Sequence, residues 1–199
     1  MKTSIKTICA TGLIALTIST LTVNATERVR PLKEKSIAAT AVSISSINKL
    51  NISGNVEVTI VQNAKAKALY TNEGDEQVTV KKVGGALYIN SNNNTKAGKI
   101  TVYVDDIYRI EAADNAYVVT EKALNLNNLQ VYLKDNATLN LNANTGALFT
   151  KINGNANLGL KGSTDNYIVE MDKSASVSLD QFKSSKTEMK SDVQISSRK

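Results

Sequence analysis

The side chains that could do chemistry here are carboxylates with a few cations. Asp105-Asp106 precede an alternating stretch, Asp114 follows it, and Glu111, Glu170, Asp172, Lys151 and Arg109 could join them. Acids gathered with a basic residue on one face are what a solenoid uses to cleave an acidic polysaccharide, as a lyase or hydrolase. A catalytic acid needs a concave, desolvated setting, and the pattern offers none. The same residues fall into outward columns. There opposite charges lie one repeat apart, Lys151 with Glu170 and Asp172 with Lys190, which is ordinary sheet support of ~0.2–1 kcal/mol per pair. The expectation is a charge-balanced face, no catalytic residue and no cofactor. Asp105-Asp106 could face calcium, but a calcium site needs several converging oxygens. The Asp-Gly loops of calcium-binding nonapeptide repeats are missing, so no metal is expected either.

Composition closes other routes. The 199 residues contain no His and no Trp, and the only Cys is Cys9. Without His there is no Ser-His-Asp or Cys-His arrangement. A lone Cys supports neither a zinc cluster nor a disulfide framework. The net charge is +6, with no block of five like charges and no basic stripe with interleaved aromatics, so nucleic acid is not an expected partner.

Residues 1–25 read as a cleaved secretory signal. Lys2 and Lys6 form the basic start, Ile8 to Val23 is uncharged, and Val23-Asn24-Ala25 places small residues where signal peptidase reads. Cys9 lies at the start of the apolar run rather than after it, against a lipoprotein. The mature chain would keep 174 residues and a net charge of +4. It holds no second long apolar segment, so it is not expected to span a membrane once the signal is removed. Residues 26–36 are charged, contain the only proline, Pro31, and read as a flexible leader.

The elements that must position any site begin at Ile37. Asn48–Ile52, Val56–Ile60, Val78–Val80, Leu87–Ile89 and Ile100–Val104 alternate with period two, as half-buried strands do. Ten Gly and many Asn imply tight turns, since both tolerate positive φ. No stretch shows helical periodicity.

The second half repeats itself. Asp114-Asn115-Ala116-Tyr117-Val118, Asp135-Asn136-Ala137-Thr138-Leu139, Gly154-Asn155-Ala156-Asn157-Leu158, Lys173-Ser174-Ala175-Ser176-Val177 and Ser191-Asp192-Val193-Gln194-Ile195 align, with starts 21, 19, 19 and 18 residues apart. Gly54-Asn55-Val56 is an earlier copy. Before each turn runs a strand whose inward set would be Tyr108/Ile110/Ala112, Leu129/Val131/Leu133, Leu148/Thr150/Ile152 and Tyr167/Val169/Met171, with Thr187/Met189 as a weaker fifth. A period near 19 residues holding strand, turn, strand and turn is one coil of a β-solenoid. The expected fold is all-β, a right-handed parallel β-helix with coils of about 19 residues over 37–199. The alanines would fill a tight interior corner, and the asparagines would stack as an amide ladder.

The sequence resembles the head GIN domain family of auto-transporter adhesins, common in Gram-negative bacteria of the gut. Ser53–Gln62, the step Gly84-Gly85-Ala86-Leu87-Tyr88-Ile89 and the Asp-Asn-Ala and Gly-Asn-Ala turns carry the likeness, over about residues 40–197. The family's turns are often Ser-Gly-Ala-like; here Asn takes the Gly place. The resemblance implies a parallel β-helix, an adhesive role inferred from that shape, and no catalytic residues. A self-exporting adhesin needs a C-terminal barrel of many ~10-residue strands, whereas here the repeats run to within a few residues of Lys199. The chain is expected to be of the passenger type, periplasmic or at the cell surface.

The face after each turn is the candidate binding surface. Its outward residues, Tyr117/Thr138/Asn157/Ser176/Gln194 and Val119/Asn140/Gly159/Ser178/Ser196, are nearly uncharged. Hydroxyls, amides and a Tyr on a flat surface suit a glycan, so Tyr117, Thr138, Asn140, Asn157, Ser176 and Ser178 are the expected ligand-binding residues. Small polar residues also occur on flat sheets without special cause. Phe149 beside Ile168, both expected outward, is the candidate protein contact. The function expected is a non-enzymatic binding protein whose partner is an extracellular or envelope glycan or protein. A small polysaccharide lyase or hydrolase, or a purely structural envelope protein, are the other readings. A basic C-terminal edge, Lys183, Lys186, Lys190, Arg198 and Lys199, is expected to keep it a monomer or weak dimer.

Overall fold

In the computed structural model, residues 40–43, 46–63, 69–72, 78–92 and 95–191 are described. The expected signal (1–25), the leader (26–36), Gln194, Ser196, Arg198 and Lys199 lie outside them. The chain divides between Ser36 and Ile37, and all described residues belong to the second unit.

The described residues form strands and turns with no helix. The strands are β1 (Thr40–Ser43), β2 (Lys49–Gly54), β3 (Val56–Gln62), β4 (Leu69–Asn72), β5 (Val78–Val83), β6 (Ala86–Ser91) and β7 (Gly98–Val104). They continue as β8 (Arg109–Ala112), β9 (Tyr117–Thr120), β10 (Leu124–Leu133), β11 (Thr138–Ile152), β12 (Asn157–Met171) and β13 (Ser176–Ser191). All join one mixed sheet.

Parallel pairing dominates it. Leu124 lies beside Ala143 in β10–β11, Thr138 beside Asn157 in β11–β12, and Asn157 beside Ser176 in β12–β13. Successive strands therefore put like residues over like, as the repeat implies. Alternation does the rest: inward positions are apolar, so each strand buries one face against the shared core. Ile110, Leu129, Val131, Leu133, Leu148, Ile152 and Val169 are all buried there. The corner alanines Ala116, Ala137 and Ala156 are buried too, and Ala175 is half-buried.

The N-terminal part is stacked out of chain order. β2 lies between β6 and β8, and β3 lies between β7 and β9, all parallel. The first strand-turn-strand unit is thus enclosed by the second and third. Its turn is a copy of the later ones, as the Gly54-Asn55-Val56 match suggests. Antiparallel strands join this end: β5 on β6 through the Gly84-Gly85 turn, and β4 between β1 and β7.

Several positions depart from the sequence expectation. Tyr108, expected inward, is 45% exposed, because Ile107 fills the interior just before β8. Thr187 and Met189, the weak fifth copy, are exposed, Met189 at 64%, since no strand pairs with the outer side of β13 among the described residues. A bulge also shifts β13 by one residue, so that Lys161 faces Gln181 although Gly159 faces Ser178. Beyond it Glu170, not Asp172, faces Lys190, and Glu188 faces Ile168. Lys190 Nζ meets Glu188 Oε1 of its own strand at 3.5 Å.

Left-handed backbone falls on Gly54, Asp114, Asp135 and Gly154, the first residue of each of these four turns, rather than on Asn. The carboxylates at these turns hold the stack. Gly54 N donates to Asp114 Oδ2 at 2.9 Å, Asp114 N to Asp135 Oδ2 at 3.3 Å, and Gly154 N to Asp172 Oδ2 at 3.0 Å. The expected amide ladder closes at one step, Asn136 Nδ2 to Asn115 Oδ1 at 3.2 Å. A second ladder stands at the other corner: Asn144 Nδ2 donates to Asn125 Oδ1 and Ser163 Oγ to Asn144 Oδ1, both at 3.1 Å. Beside it, buried Thr145 Oγ1 donates to Thr164 Oγ1 at 2.8 Å.

Candidate functional site

The six residues expected to bind ligand stand in two adjacent columns. Tyr117, Thr138, Asn157 and Ser176 are successive register partners on β9, β11, β12 and β13. Val119, Asn140, Gly159 and Ser178 form the parallel column two residues on. Alternation turns all of them away from the core; Thr138 is half-buried and the other five expected ligand residues are exposed. Asn140 Nδ2 donates to Tyr117 Oη at 3.0 Å, tying the two columns together. Asn140 has room because its neighbour is glycine: a Cβ on Gly159 would lie 2.7 Å from Asn140 Oδ1. Below Tyr117 the column continues into Glu57, which pairs with Lys99 at 2.9 Å.

Asn140, Gly159 and Ser178 open into a depression of about 500 Å³, which Glu121, Lys161 and Asp180 also line. The charged residues were not expected there. They sit two or more residues beyond the small polar columns, where the strands approach the second corner. Ser178 Oγ donates to Asp180 Oδ2 at 2.8 Å.

The strands before the turns carry their own groove, which the sequence pattern did not reveal. It measures about 650 Å³ and is lined by Tyr88, Asn51, Glu111, Tyr132, Lys134 and Lys151, among others. Tyr88, Asn51, Glu111, Tyr132, Lys151 and Glu170 are successive register partners across β6, β2, β8, β10, β11 and β12. Asn51 and Glu111 lie between the two tyrosines in this row. The signal was present in the sequence, since Tyr88 and Tyr132 share the outward parity, but the out-of-order stacking of β2 hid their relation.

Of the acids weighed for catalysis, Glu111 and Glu170 lie on this face and are engaged in ion pairs. Glu111 Oε1 meets Lys49 Nζ at 2.8 Å and Arg109 Nη1 at 3.3 Å, and Glu170 Oε2 meets Lys151 Nζ at 3.4 Å. Arg109 also donates to Gln130 Oε1 at 2.9 and 2.6 Å and lies 4.9 Å from the Tyr132 ring centroid. Glu111 and Glu170 are three strand steps apart, ~14 Å at the usual spacing, beyond the ~5–9.5 Å between the paired carboxyls of glycosidases. Asp105 and Asp106 are exposed, and Asp114 serves the backbone ladder. Among the described residues no group of three or more Asp, Glu, His or Cys is placed to hold a metal ion.

Phe149 and Ile168 are register partners and half-buried rather than exposed. Phe149 packs on Tyr132 with ring centroids 5.7 Å apart.

The fold has relatives of known structure. A "Putative lipid binding protein" from Parabacteroides distasonis superposes with a TM-score of 0.59 at 13% identity, and a "putative adhesin" from the same species with 0.59 at 11%. In both cases the match covers 77% of each chain. At such identities the likeness speaks for the fold alone. No curated protein matches the chain at a significant level. Residues 46–194 match the family model described as "Putative auto-transporter adhesin, head GIN domain". With the repeat turns and the parallel register already placed within that span, the chain belongs to the head GIN domain family.

Proposed function

We propose that this chain is an exported, non-enzymatic adhesin that binds a glycan through the outward residues of β9, β11, β12 and β13. The observation that carries the reading is the in-register array of Tyr117, Thr138, Asn140, Asn157, Ser176 and Ser178 beside a polar depression. Hydroxyls and amides repeated at the strand spacing of ~4.8 Å can meet successive hydroxyls of an extended saccharide. Because the ladder is fixed by backbone pairing, little entropy is lost on binding. The family's description as an adhesin supports the same role.

The scaffold in this reading is a right-handed parallel β-helix. Ladder contacts separated by 19 residues support coils of that length, and right-handedness follows the preference of parallel crossovers. Spread, ion-paired acids support the absence of catalysis. The signal pattern in residues 1–25 supports export to the periplasm or surface. The mature protein then starts at Thr26, which mass spectrometry of exported material checks; a species that keeps Cys9, or carries lipid on it, contradicts it.

A glycan and matrix-protein array, run with the mature protein beside an activity screen on acidic polysaccharides, tests the role. Binding to glycans that falls with Tyr117→Ala and Asn140→Ala is the expected result. Cleavage of a polysaccharide would turn the reading toward the lyase or hydrolase. Binding confined to matrix proteins would make the ligand a protein. No binding at all would favour a structural envelope protein.

A further inference from the structure

We infer that the groove across β6, β2, β8, β10 and β11 is a second binding site, and that its ligand is an acidic oligosaccharide. Tyr88 stands at one end and Tyr132 three strands along, separated by Asn51 and Glu111 in one register row, with Lys151 one strand further. Three strand steps put the rings ~14 Å apart, the span of an oligosaccharide rather than a single sugar. Tyr88 is 45% exposed. A tyrosine ring offers an apolar face with a polar tip, and the C–H face of a sugar packs on such a ring while its hydroxyls reach the polar floor. Open sites of this kind combine aromatic walls with a few placed polar groups.

The floor supplies those groups. Asn51 lines the groove, and its Nδ2 is buried without a hydrogen-bond partner. This donor is what the folded protein leaves unmet, and a ligand oxygen on the groove floor would accept from it after a small shift of the Asn51 side chain. Asn90 Nδ2 is already held by Ser53 Oγ at 2.8 Å.

Charge selects the acidic class. Glu111 is shared by Lys49 and Arg109, and Glu170 by Lys151. With Lys134, which lines the groove and has no ion-pair partner among the described residues, the cluster carries two positive charges in excess. A ligand carboxylate near Lys134 and Lys151 balances it without desolvating a buried ion. Asn140 and Ser178, in the depression across β11, β12 and β13, contribute nothing here, so this site is independent of the one proposed above.

The test is isothermal titration of the full mature protein with galacturonate, hyaluronate and sialyl oligosaccharides, each beside its methyl-esterified or neutral counterpart. Measurements at low salt and at about 0.15 M read the electrostatic share. At least one acidic series should bind about tenfold more tightly than its neutral counterpart, and more weakly as salt rises. Tyr88→Ala and Lys134→Glu should each weaken it by about tenfold, Tyr88→Trp should keep it, and Tyr117→Ala should leave it within about twofold. Both altered residues are exposed, and circular dichroism melts check that the variants stay folded. No binding of any acidic series overturns the inference. So does equal binding of neutral counterparts, indifference to the two groove variants, or loss on Tyr117→Ala.

Discussion

Two glycines with left-handed backbone allow a sharp comparison. Gly54 has φ of 81° and Gly84 has φ of 57°. Alanine at either must hold a left-handed conformation, at ~1–2 kcal/mol, partly offset by ~0.4–1 kcal/mol from a stiffer unfolded chain. Gly84 sits at the β5–β6 turn, where an added Cβ meets nothing within 4 Å. Gly84→Ala should therefore cost about 1 kcal/mol. At Gly54 the Cβ would lie 2.0 Å from Ser91 O and 2.9 Å from Ser91 C. Those are backbone atoms, so β6 must move by more than an ångström. The moved carbonyl is the one that accepts from Asn55 N at 3.0 Å. Overpacking adds ~1–3 kcal/mol and the weakened hydrogen bond ~1 kcal/mol, for a total with the backbone strain of about 3–5 kcal/mol. At ~2–4 °C per kcal/mol for a chain of this size, Gly54→Ala should melt roughly 6–20 °C lower and Gly84→Ala only a few degrees lower. Thermal and urea unfolding measure both, with an unchanged urea slope as the sign that only stability moved. Equal losses at the two positions would refute the out-of-order stacking of β2 on β6, because only that contact separates them.

Ala156→Leu, at a fully buried corner, should cost ~1–3 kcal/mol, whereas Asn157→Leu, one residue on and exposed, should stay within about 0.5 kcal/mol in chemical denaturation. Burial raises the pKa of Tyr167 above its ordinary value of 10.0. The folded state then keeps a proton that the unfolded state loses, so stability is intact below pH 10 and falls as pH rises beyond it. Tyr167→Phe should flatten that alkaline loss in pH-dependent melts. At neutral pH it should cost ~1–3 kcal/mol, since the Thr150 hydroxyl, 3.1 Å from the Tyr167 hydroxyl, loses its partner. The wild-type protein should be a monomer or weak dimer by light scattering, and changing Lys186, Lys190, Arg198 and Lys199 together to Ser should produce concentration-dependent oligomers.

The repeat was legible because parallel stacking puts the same demand on every coil. Ala116, Ala137 and Ala156 must be small, and the residues two apart in each strand must be apolar, so period and parity both survive in the sequence. Tyr108 escaped that logic because the chain before β8 is irregular, and Ile107 took the interior place. The β13 register escaped because a one-residue bulge after Ser178 lengthens that strand, so that Thr187 and Met189 face Tyr167 and Val169, a pairing that counting back from the last turn does not give. The roles of Asp114 and Asp135 were hidden for a different reason. A turn written Asp-Asn-Ala draws the eye to its Asn, yet the left-handed residue is the Asp, whose carboxylate also receives a neighbouring backbone N–H or Gly N–H.

The candidate sites were harder to read than the fold, and the cause lies in the same ladder. Inward columns are held nearly uniform by packing, since one methylene too many is felt at once. Outward columns meet water and are free to vary from coil to coil. One therefore runs Tyr117, Thr138, Asn157, Ser176, and its counterpart on the strands before the turns runs Tyr88, Asn51, Glu111, Tyr132, Lys151. The first follows chain order and could be aligned by eye. The second crosses the point where β2 is enclosed between β6 and β8, so residues 88, 51 and 111 become neighbours only after the long-range pairing is known. A groove built across that crossing draws its walls from three separate stretches of chain. No local period can announce it, and its ligand can change through Tyr88, Lys134 or Lys151 without disturbing one buried position.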